Sequence, residues 1–268
     1  MPSIERPGGV AIHWEGQGEG PLVVIVHQML WSRPSIYAGL VADLARDHSV
    51  VLYDPRGCGR SGRQGPYDIP TDAEDLLAVI EAAGGPALAI AVGYGYNVVA
   101  HASSVRPAAI SDVIALMPAA AAMLPRSELK DSDVMGASDS VVDMMLQLMR
   151  TDPRAALRTM IAATNPSIDE DALRERVELA AAYNEPGAAV ERATAWLADD
   201  PSAHAAAAGD RLWIVYGQAE PLFEGALLDR VRQAYPEAHL TQLEDGPVTR
   251  PDLTAALVRR LLNASSPE

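Results

Sequence analysis

Short apolar, β-branched runs alternate with longer segments of helical periodicity along most of this chain of 268 residues. Because the runs are apolar on both faces and helices separate them, they predict a mostly parallel sheet that helices cover on both sides. The predicted strands are Pro21–His27, Ser49–Asp54, Ala87–Val92, Asp112–Met117, Arg211–Tyr216 and His239–Leu243. The predicted helices between and after them are Tyr37–Arg46, Thr71–Ala83, Tyr96–Ser104, Leu222–Ala234 and Arg250–Leu262.

The alternation stops once, between Ala119 and about Ala208, where the sequence shows no convincing strand. This segment instead has helical patterns, punctuated by prolines, at Ser138–Arg150, Pro153–Ala163, Ile168–Tyr183 and Gly187–Ala198. An all-helical insertion after one strand of a parallel sheet is typical of a lid. We therefore predict an α/β core of residues 1–118 and 209–268 and a helical cap of residues 119–208.

Composition and charge narrow the class of protein. Apolar residues make up 49% of the chain, which is enough for a buried core. The formal net charge of −15 disfavours nucleic acids and anionic membrane surfaces as partners, because the field of the protein repels polyanions. No apolar run approaches the roughly 18 residues that span a bilayer, and the single cysteine, Cys58, excludes an intramolecular disulfide. These features predict a cytoplasmic protein, either a monomer or a homodimer.

Three segments that follow predicted strands carry recognisable motifs. His27-Gln28 ends the first strand, Asp54-Pro55-Arg56-Gly57-Cys58-Gly59-Arg60-Ser61 follows the second, and Gly93-Tyr94-Gly95-Tyr96-Asn97 follows the third. The second segment closely resembles the D-x-R-G-x-G-x-S segment of capped α/β-hydrolases of the epoxide hydrolase, dehalogenase and lactonase type. Together with the helical insertion, the resemblance covers nearly the whole chain. It implies an α/β-hydrolase fold, with a mostly parallel sheet of the eight-stranded type and an inserted helical cap.

The resemblance also implies where a catalytic triad would lie, and two of its three positions hold residues that cannot act. In such hydrolases a G-x-S-x-G turn presents the nucleophile, followed along the chain by an acid and a histidine. The matching positions here are Gly95, Glu220 and Pro247. His239 lies near the start of its predicted strand, which is the wrong edge of the sheet for catalysis.

Polar groups nevertheless surround the predicted site. The backbone N–H groups of Met29 and Tyr96 match the oxyanion donors of the family. Candidate catalytic side chains are Gln28, Tyr94, Asn97 and Glu220, and candidate substrate contacts are His27, Trp31, Gly95, Met144 and Met145.

Several of these residues have an ordinary structural interpretation as well. In the family the Asp54 and Arg56 pair pins its loop, and the histidine at the position of His27 is usually structural, although the place of His27 beside the pocket leaves a direct role open. A methionine stripe at helical spacing is more often core than ligand surface. If the stripe around Met144 and Met145 forms the roof of the pocket, it suits a flat, polycyclic, apolar substrate.

Three functions remain open on the sequence. The first is a non-hydrolytic enzyme of natural-product biosynthesis that catalyses cyclisation, addition or carbon–carbon bond formation without an acyl-enzyme intermediate. The second is a catalytically inactive sensor or carrier that binds a small molecule. The third is a hydrolase in which Glu220 or Asp245 activates water. No metal or organic cofactor is expected, because the six histidines are scattered and no dinucleotide motif is present.

Overall fold

A computed structural model describes residues 2–27, 34–118, 123–125, 127, 139–164, 168–205, 208–217, 225–243 and 251–264. Eight strands form one sheet in the order β1-β2-β4-β3-β5-β6-β7-β8. The strands are β1 (Ser3–Arg6), β2 (Val10–Gln17), β3 (Leu22–Val26), β4 (Ser49–Tyr53), β5 (Ala87–Val92), β6 (Ile110–Leu116), β7 (Leu212–Gly217) and β8 (His239–Leu243). The six strands β3 to β8 pair in parallel, so the predicted α/β architecture with a mostly parallel sheet is confirmed.

The two N-terminal strands, β1 and β2, were not predicted from the sequence. They pair antiparallel with each other, and β2 pairs antiparallel with β4. In β2 the side chains of Val10 and Ile12 are buried while that of Ala11 is exposed, which is the period of two expected for a strand with one solvated face. The apolar stretch is short, and the predictions rested on longer apolar runs.

Helices cover both faces of the sheet. Helices α2 (Ile69–Ala82) and α3 (Gly95–Val105) pack on one face, and α1 (Ala38–Leu44) and α10 (Pro251–Ala264) pack on the other. The side chains of β3 alternate between the two layers: Val24 and Val26 belong to the α2–α3 core, while Val23 and Ile25 belong to the α1–α10 core. Burial on both faces explains why this strand reads as an unbroken apolar run.

The described chain between β6 and β7 is helical. Its helices are α4 (Asp139–Thr151), α5 (Pro153–Thr164), α6 (Glu170–Tyr183), α7 (Pro186–Ala198) and α8 (Ser202–Ala205), and α9 (Gly225–Ala234) follows β7. The helices α4 to α8 lie in the segment that the sequence assigns to a cap. α4 packs on α5 and α7, and α5 packs on α6. Of the helices in the described ranges, none has the length and apolar character needed to cross a membrane.

Candidate functional site

The carboxyl ends of three neighbouring parallel strands place His27, Asp54 and the turn after Val92 at one level. Ile25 of β3 pairs with Leu52 of β4, and Val26 of β3 pairs with Ala91 of β5. Two residues beyond the pair Ile25 and Leu52, the register places His27 beside Asp54. One residue beyond the pair Val26 and Ala91, it places His27 beside Val92. Open α/β sheets bind their ligands at this edge, and the described part of the candidate site therefore lies here.

The sharp turn from β5 into α3 has its left-handed residue at Gly93, whose φ is 52°. The next residue, Tyr94, already has helical angles, with φ −52° and ψ −29°. The amide of Tyr96 donates to the carbonyl of Gly93 at 3.0 Å, which closes the first turn of the helix. A nucleophile of this fold sits on the strained residue between strand and helix. Gly93 holds that position. The tip of the turn therefore lies two residues before Gly95, the residue to which the sequence assigned it.

Gly95 is instead a point of close contact between α3 and β3. A Cβ atom at this position would lie 2.2 Å from the carbonyl oxygen and 2.9 Å from the carbonyl carbon of Val26. Only glycine allows the backbone of the helix to approach the strand so closely. The space that the sequence assigned to a substrate at Gly95 is thus filled by the backbone of Val26, and the prediction of a substrate contact there is wrong.

Tyr94, a predicted catalytic residue, points into a buried ion pair. Its hydroxyl donates to Oδ2 of Asp72 at 3.3 Å. The same carboxylate accepts two bonds from Arg192 of α7, Nε to Oδ2 at 2.8 Å and Nη2 to Oδ1 at 2.9 Å. Nη2 of Arg192 also donates to the carbonyl of Arg56 at 2.6 Å. Tyr94 therefore helps to join the cap to the core, and burial raises its pKa well above the ordinary value, with the charge of Asp72 adding to this effect.

Asn97, the second predicted catalytic side chain in the turn, also binds the cap segment. Its Nδ2 donates to Oδ2 of Asp199, directly after α7, at 2.7 Å. Its Oδ1 is buried and accepts no hydrogen bond from the described residues. Tyr96 is fully buried as well, and burial raises the pKa of its hydroxyl well above the ordinary value, with Tyr235 contributing further. The backbone N–H of Tyr96 is bound to the carbonyl of Gly93 at 3.0 Å, so its assignment as an oxyanion donor is corrected. The side chains of the turn face the core and the cap.

His27, Tyr183 and Asp54 form a hydrogen-bonded chain above the sheet edge. Tyr183 is the last residue of α6, and its hydroxyl donates to Oδ1 of Asp54 at 2.8 Å. Nε2 of His27 lies 3.3 Å from the same hydroxyl oxygen and 3.3 Å from the carbonyl oxygen of Tyr53. Because a carbonyl can only accept, this network assigns the proton to Nε2. Tyr183 was not predicted from the sequence, since a tyrosine at a helix end carries no signal of its long-range partner.

The Gly57-Cys58-Gly59 loop binds the junction between α6 and α7 through its backbone. The amide of Gly59 donates to the carbonyl of Tyr183, and the amide of Glu185 donates to the carbonyl of Gly57, each at 2.8 Å. A Cβ atom at Gly59 would lie 2.4 Å from Oδ2 of Asp54, so glycine is needed for the approach of that carboxylate. The loop thus holds the end of α6, and with it Tyr183, at a fixed height above the sheet.

Arg56 has the structural role that the resemblance implies, but with another partner. Its Nε donates to Oδ2 of Asp75 at 2.8 Å and its Nη2 donates to Oδ1 at 2.9 Å. Oδ2 of Asp54 accepts instead from the amide of Arg60 at 3.0 Å. Asp54 and Arg56 therefore do not pin the loop as a mutual pair. Each is bound separately, and the Oδ1 atom of Asp54 is left to face Tyr183.

The methionines of α4 divide between the interior of the cap and solvent. Met149 is buried with Met160 in a small cluster inside the cap, and Met145 packs against that cluster. The side chain of Met144 is 62% exposed. In the described structure Met145 is a core residue of the cap, which corrects its assignment as a substrate contact. Met144 faces outward.

Six predicted site residues lie outside the described residues: Gln28, Met29, Trp31, Glu220, Asp245 and Pro247. His239 is the first residue of β8, and its ring stacks on Trp213 with the ring centroids 4.1 Å apart. It therefore lies at the amino end of its strand, opposite the candidate site.

Comparison with known proteins identifies the family. Residues 21–163, just over half of the chain, match the family model of the α/β hydrolase fold, and the chain belongs to this family. A bromoperoxidase from Bacillus anthracis has the same fold, with a TM-score of 0.77, 18% identity and 97% coverage of both chains.

Curated relatives match over shorter segments. Polyketide synthase ThaQ of Burkholderia thailandensis is 31% identical over 108 residues, which are 40% of this chain and 5% of that protein. Probable oxidoreductase EphD of Mycobacterium tuberculosis is 38% identical over 87 residues, which are 29% of this chain and 14% of that protein. The chain therefore matches only a small part of the length of either relative.

Proposed function

We propose that this α/β-hydrolase-fold protein is an enzyme that works without an acyl-enzyme intermediate and catalyses cyclisation, addition or carbon–carbon bond formation on a bulky apolar substrate. The observation that carries the proposal is the glycine at the tip of the strand-to-helix turn. Gly93 has the left-handed backbone of a nucleophile position and no side-chain atom to attack a carbonyl. Gly95, the other glycine of the motif, has no room for a side chain.

The neighbouring residues of the turn do not replace a nucleophile. The hydroxyl of Tyr94 is bound to Asp72, and the hydroxyl of Tyr96 is buried in the core. Raised pKa values keep both phenols neutral near pH 7. We therefore assign Tyr94 and Asn97 to positioning of the cap rather than to bond making.

Reactions of this type need orientation and stabilisation of a developing negative charge more than they need a nucleophile. Holding a reactive substrate in one conformation can lower a barrier by several kcal/mol, about 7–11 in favourable intramolecular cases. Backbone donors aimed at an enolate or oxyanion supply a further few kcal/mol, roughly 3–4 for one donor. The partial match to a polyketide synthase supports a biosynthetic setting, in which enolisable carbonyl compounds are the expected substrates.

Two measurements test the proposal. Intact-mass spectrometry after treatment with a fluorophosphonate should show no adduct, because the turn presents no activated hydroxyl. In deuterated water, the wild-type protein should accelerate exchange of the α-hydrogens of 2-tetralone, a flat enolisable ketone, above the buffer rate observed by ¹H NMR. Stoichiometric labelling would contradict the proposal and indicate a hydrolase. Absence of exchange would contradict proton-transfer catalysis and favour a binding protein.

A further inference from the structure

The phenol of Tyr183 lies directly above the sheet edge at which the candidate site is found. Its hydroxyl contacts Asp54 and His27, which follow the neighbouring strands β4 and β3. β5, which ends in the turn at Gly93, is the next strand along, about 4.8 Å from β3. Tyr183 therefore brings a hydroxyl group from the cap to the ends of β3 and β4, at the same sheet edge as the turn.

The hydrogen bonds around this oxygen have defined directions. The hydroxyl donates to Oδ1 of Asp54, and the single Nε2–H of His27 is shared between the hydroxyl oxygen and the carbonyl oxygen of Tyr53, each 3.3 Å from Nε2. A phenolic oxygen that donates one bond and accepts one retains a second lone pair. The side chain of Tyr183 is only partly buried, whereas His27 and Asp54 are buried. Tyr183 is thus the most exposed of the three hydrogen-bonded residues.

The residues at both ends of the hydrogen-bonded series His27, Tyr183 and Asp54 are held in place. Oδ2 of Asp54 accepts from the amide of Arg60 at 3.0 Å, and the backbone of Tyr183 accepts from Gly59 at 2.8 Å. His27 is bound to the carbonyl of Tyr53 as well as to the phenol. Burial raises the pKa of Tyr183 well above the ordinary value, with Cys58 and Asp54 contributing further, so the phenol keeps its proton at neutral pH. Such fixed geometry is what a proton-transfer step requires.

We infer that Tyr183 and Asp54 together accept a proton from the substrate, with His27 positioning the phenol, an inference that rests on the proposed function. The substrate C–H bond breaks and its electron pair stays on the substrate as an enolate. Its proton passes to Oη of Tyr183 while the Oη proton passes to Oδ1 of Asp54. Tyr183 remains neutral throughout, Asp54 becomes a carboxylic acid, and the reverse transfer protonates the product carbon.

The substitution Tyr183→Phe tests this assignment, because it removes the hydroxyl and keeps the ring. We expect it to lower the rate of α-hydrogen exchange of 2-tetralone by about 10²-fold or more, the usual range for loss of a general acid–base group. Binding of 2-naphthol, a fluorescent analogue of the enol, should stay within about threefold of wild type, as expected for a group used in proton transfer rather than in uniform binding. Asp54→Asn, which keeps the shape of the side chain, should show the same loss of exchange.

Tyr67→Phe is the matched control. The hydroxyl of Tyr67 donates to the carbonyl of Arg63 and lies at the same cap–core boundary, outside the proposed chain. It should retain the wild-type exchange rate, and near-ultraviolet circular dichroism should show that all three variants fold. If the wild type and Tyr183→Phe exchange equally fast, the role of Tyr183 is overturned and the proposed function stands. If the wild type itself does not accelerate exchange, the proposed function and the proton-accepting role both fail.

Discussion

Arg192 of the cap and Asp72 of the core form a bidentate ion pair in which both side chains are almost completely buried. Nε of Arg192 lies 2.8 Å from Oδ2 of Asp72, and Nη2 lies 2.9 Å from Oδ1. The guanidinium carbon also stands over the ring of Tyr67, 5.3 Å from its centroid. This pair joins α7 of the cap to α2 of the core through a buried contact.

Removal of either Arg192 or Asp72 alone should therefore destabilise the folded protein. Arg192→Met leaves the carboxylate of Asp72 buried without its counter-charge, and we expect the free energy of unfolding to fall by about 3–5 kcal/mol. The double variant Asp72→Asn, Arg192→Met should recover part of that loss. Urea denaturation provides the measurement, and Arg154→Met, which breaks the exposed pair with Glu178, is the control that should change little. Equal effects at the two sites would contradict the role of the buried pair.

Gly95 should not tolerate a side chain. Because a Cβ atom would meet the carbonyl oxygen of Val26 at 2.2 Å, Gly95→Ala should destabilise the protein by about 2–3 kcal/mol or more. Gly16→Ala is a control, since its Cβ would meet Trp14 at 3.6 Å, an ordinary contact. The comparison of melting temperatures settles the point, and a Gly95→Ala variant as stable as Gly16→Ala would show that α3 does not approach β3 so closely.

Cys58 should be chemically silent in the folded protein. Burial raises the pKa of its thiol to about 12, and its Sγ lies 3.5 Å from Oδ1 of Asn184. Since the thiolate is the reactive form, 5,5′-dithiobis(2-nitrobenzoate) should react with the native protein far more slowly than with protein unfolded in guanidinium chloride. Rapid stoichiometric reaction of the native protein would contradict the burial of this loop under the cap.

The histidine pair between α3 and α8 should make stability depend on pH. The rings of His101 and His204 lie 4.5 Å apart between centroids, and burial, followed by the neighbouring His204, lowers the pKa of His101. A lowered folded-state pKa means that this contribution is complete above about pH 6.5, the unfolded value, and is lost as the pH falls. Melting temperatures from pH 8 to pH 5 should fall less for His101→Asn than for wild type. Parallel curves would exclude the pair as the cause.

The roles of Glu220 and Gln28, which lie outside the described ranges, stay predictions that the exchange assay can test. If Glu220 is a base or an electrostatic anchor, Glu220→Gln should lower exchange of 2-tetralone in folded protein. Gln28→Ala should lower it by about 10²-fold at most, the loss expected for one oxyanion donor. Unchanged rates in both variants would place the site away from the predicted acid and oxyanion positions.

The sequence predicted the sheet well and the turn at its edge less well, for a physical reason. The central strands are buried on both faces, so their apolar runs are unambiguous. In the turn, however, Gly93 and Gly95 are two residues apart, and each fits a motif built on small residues at that spacing. Only the backbone decides between them: Gly93 has a φ of 52°, and Gly95 touches Val26.

The cap contacts could not be read from the sequence at all. An arginine in an amphipathic helix normally indicates a solvated face, yet the side chain of Arg192 lies on the buried face of α7. Its partner Asp72 lies 120 residues earlier in the chain, and Tyr183 lies 129 residues after Asp54. Pairings over such distances depend on how the cap folds back onto the core, which no local periodicity records. The same packing of the cap on the core engages the side chains of Tyr94 and Asn97, which the sequence had assigned to catalysis.

The backbone bridge between Cys58 and Asn184 ties the junction of α6 and α7 to the core, whereas α4 and α5 have no such bridge among the described residues. Changes in α6 and α7 would displace Tyr183 and Arg192, whose side chains bind Asp54 and Asp72 of the core. α4 and α5 rest on other cap helices, so their outward residues, such as Met144, can change without moving that edge. Insertions or substitutions on the outer face of this α4–α5 hairpin should therefore leave the positions of Tyr183, Asp54 and His27 unchanged.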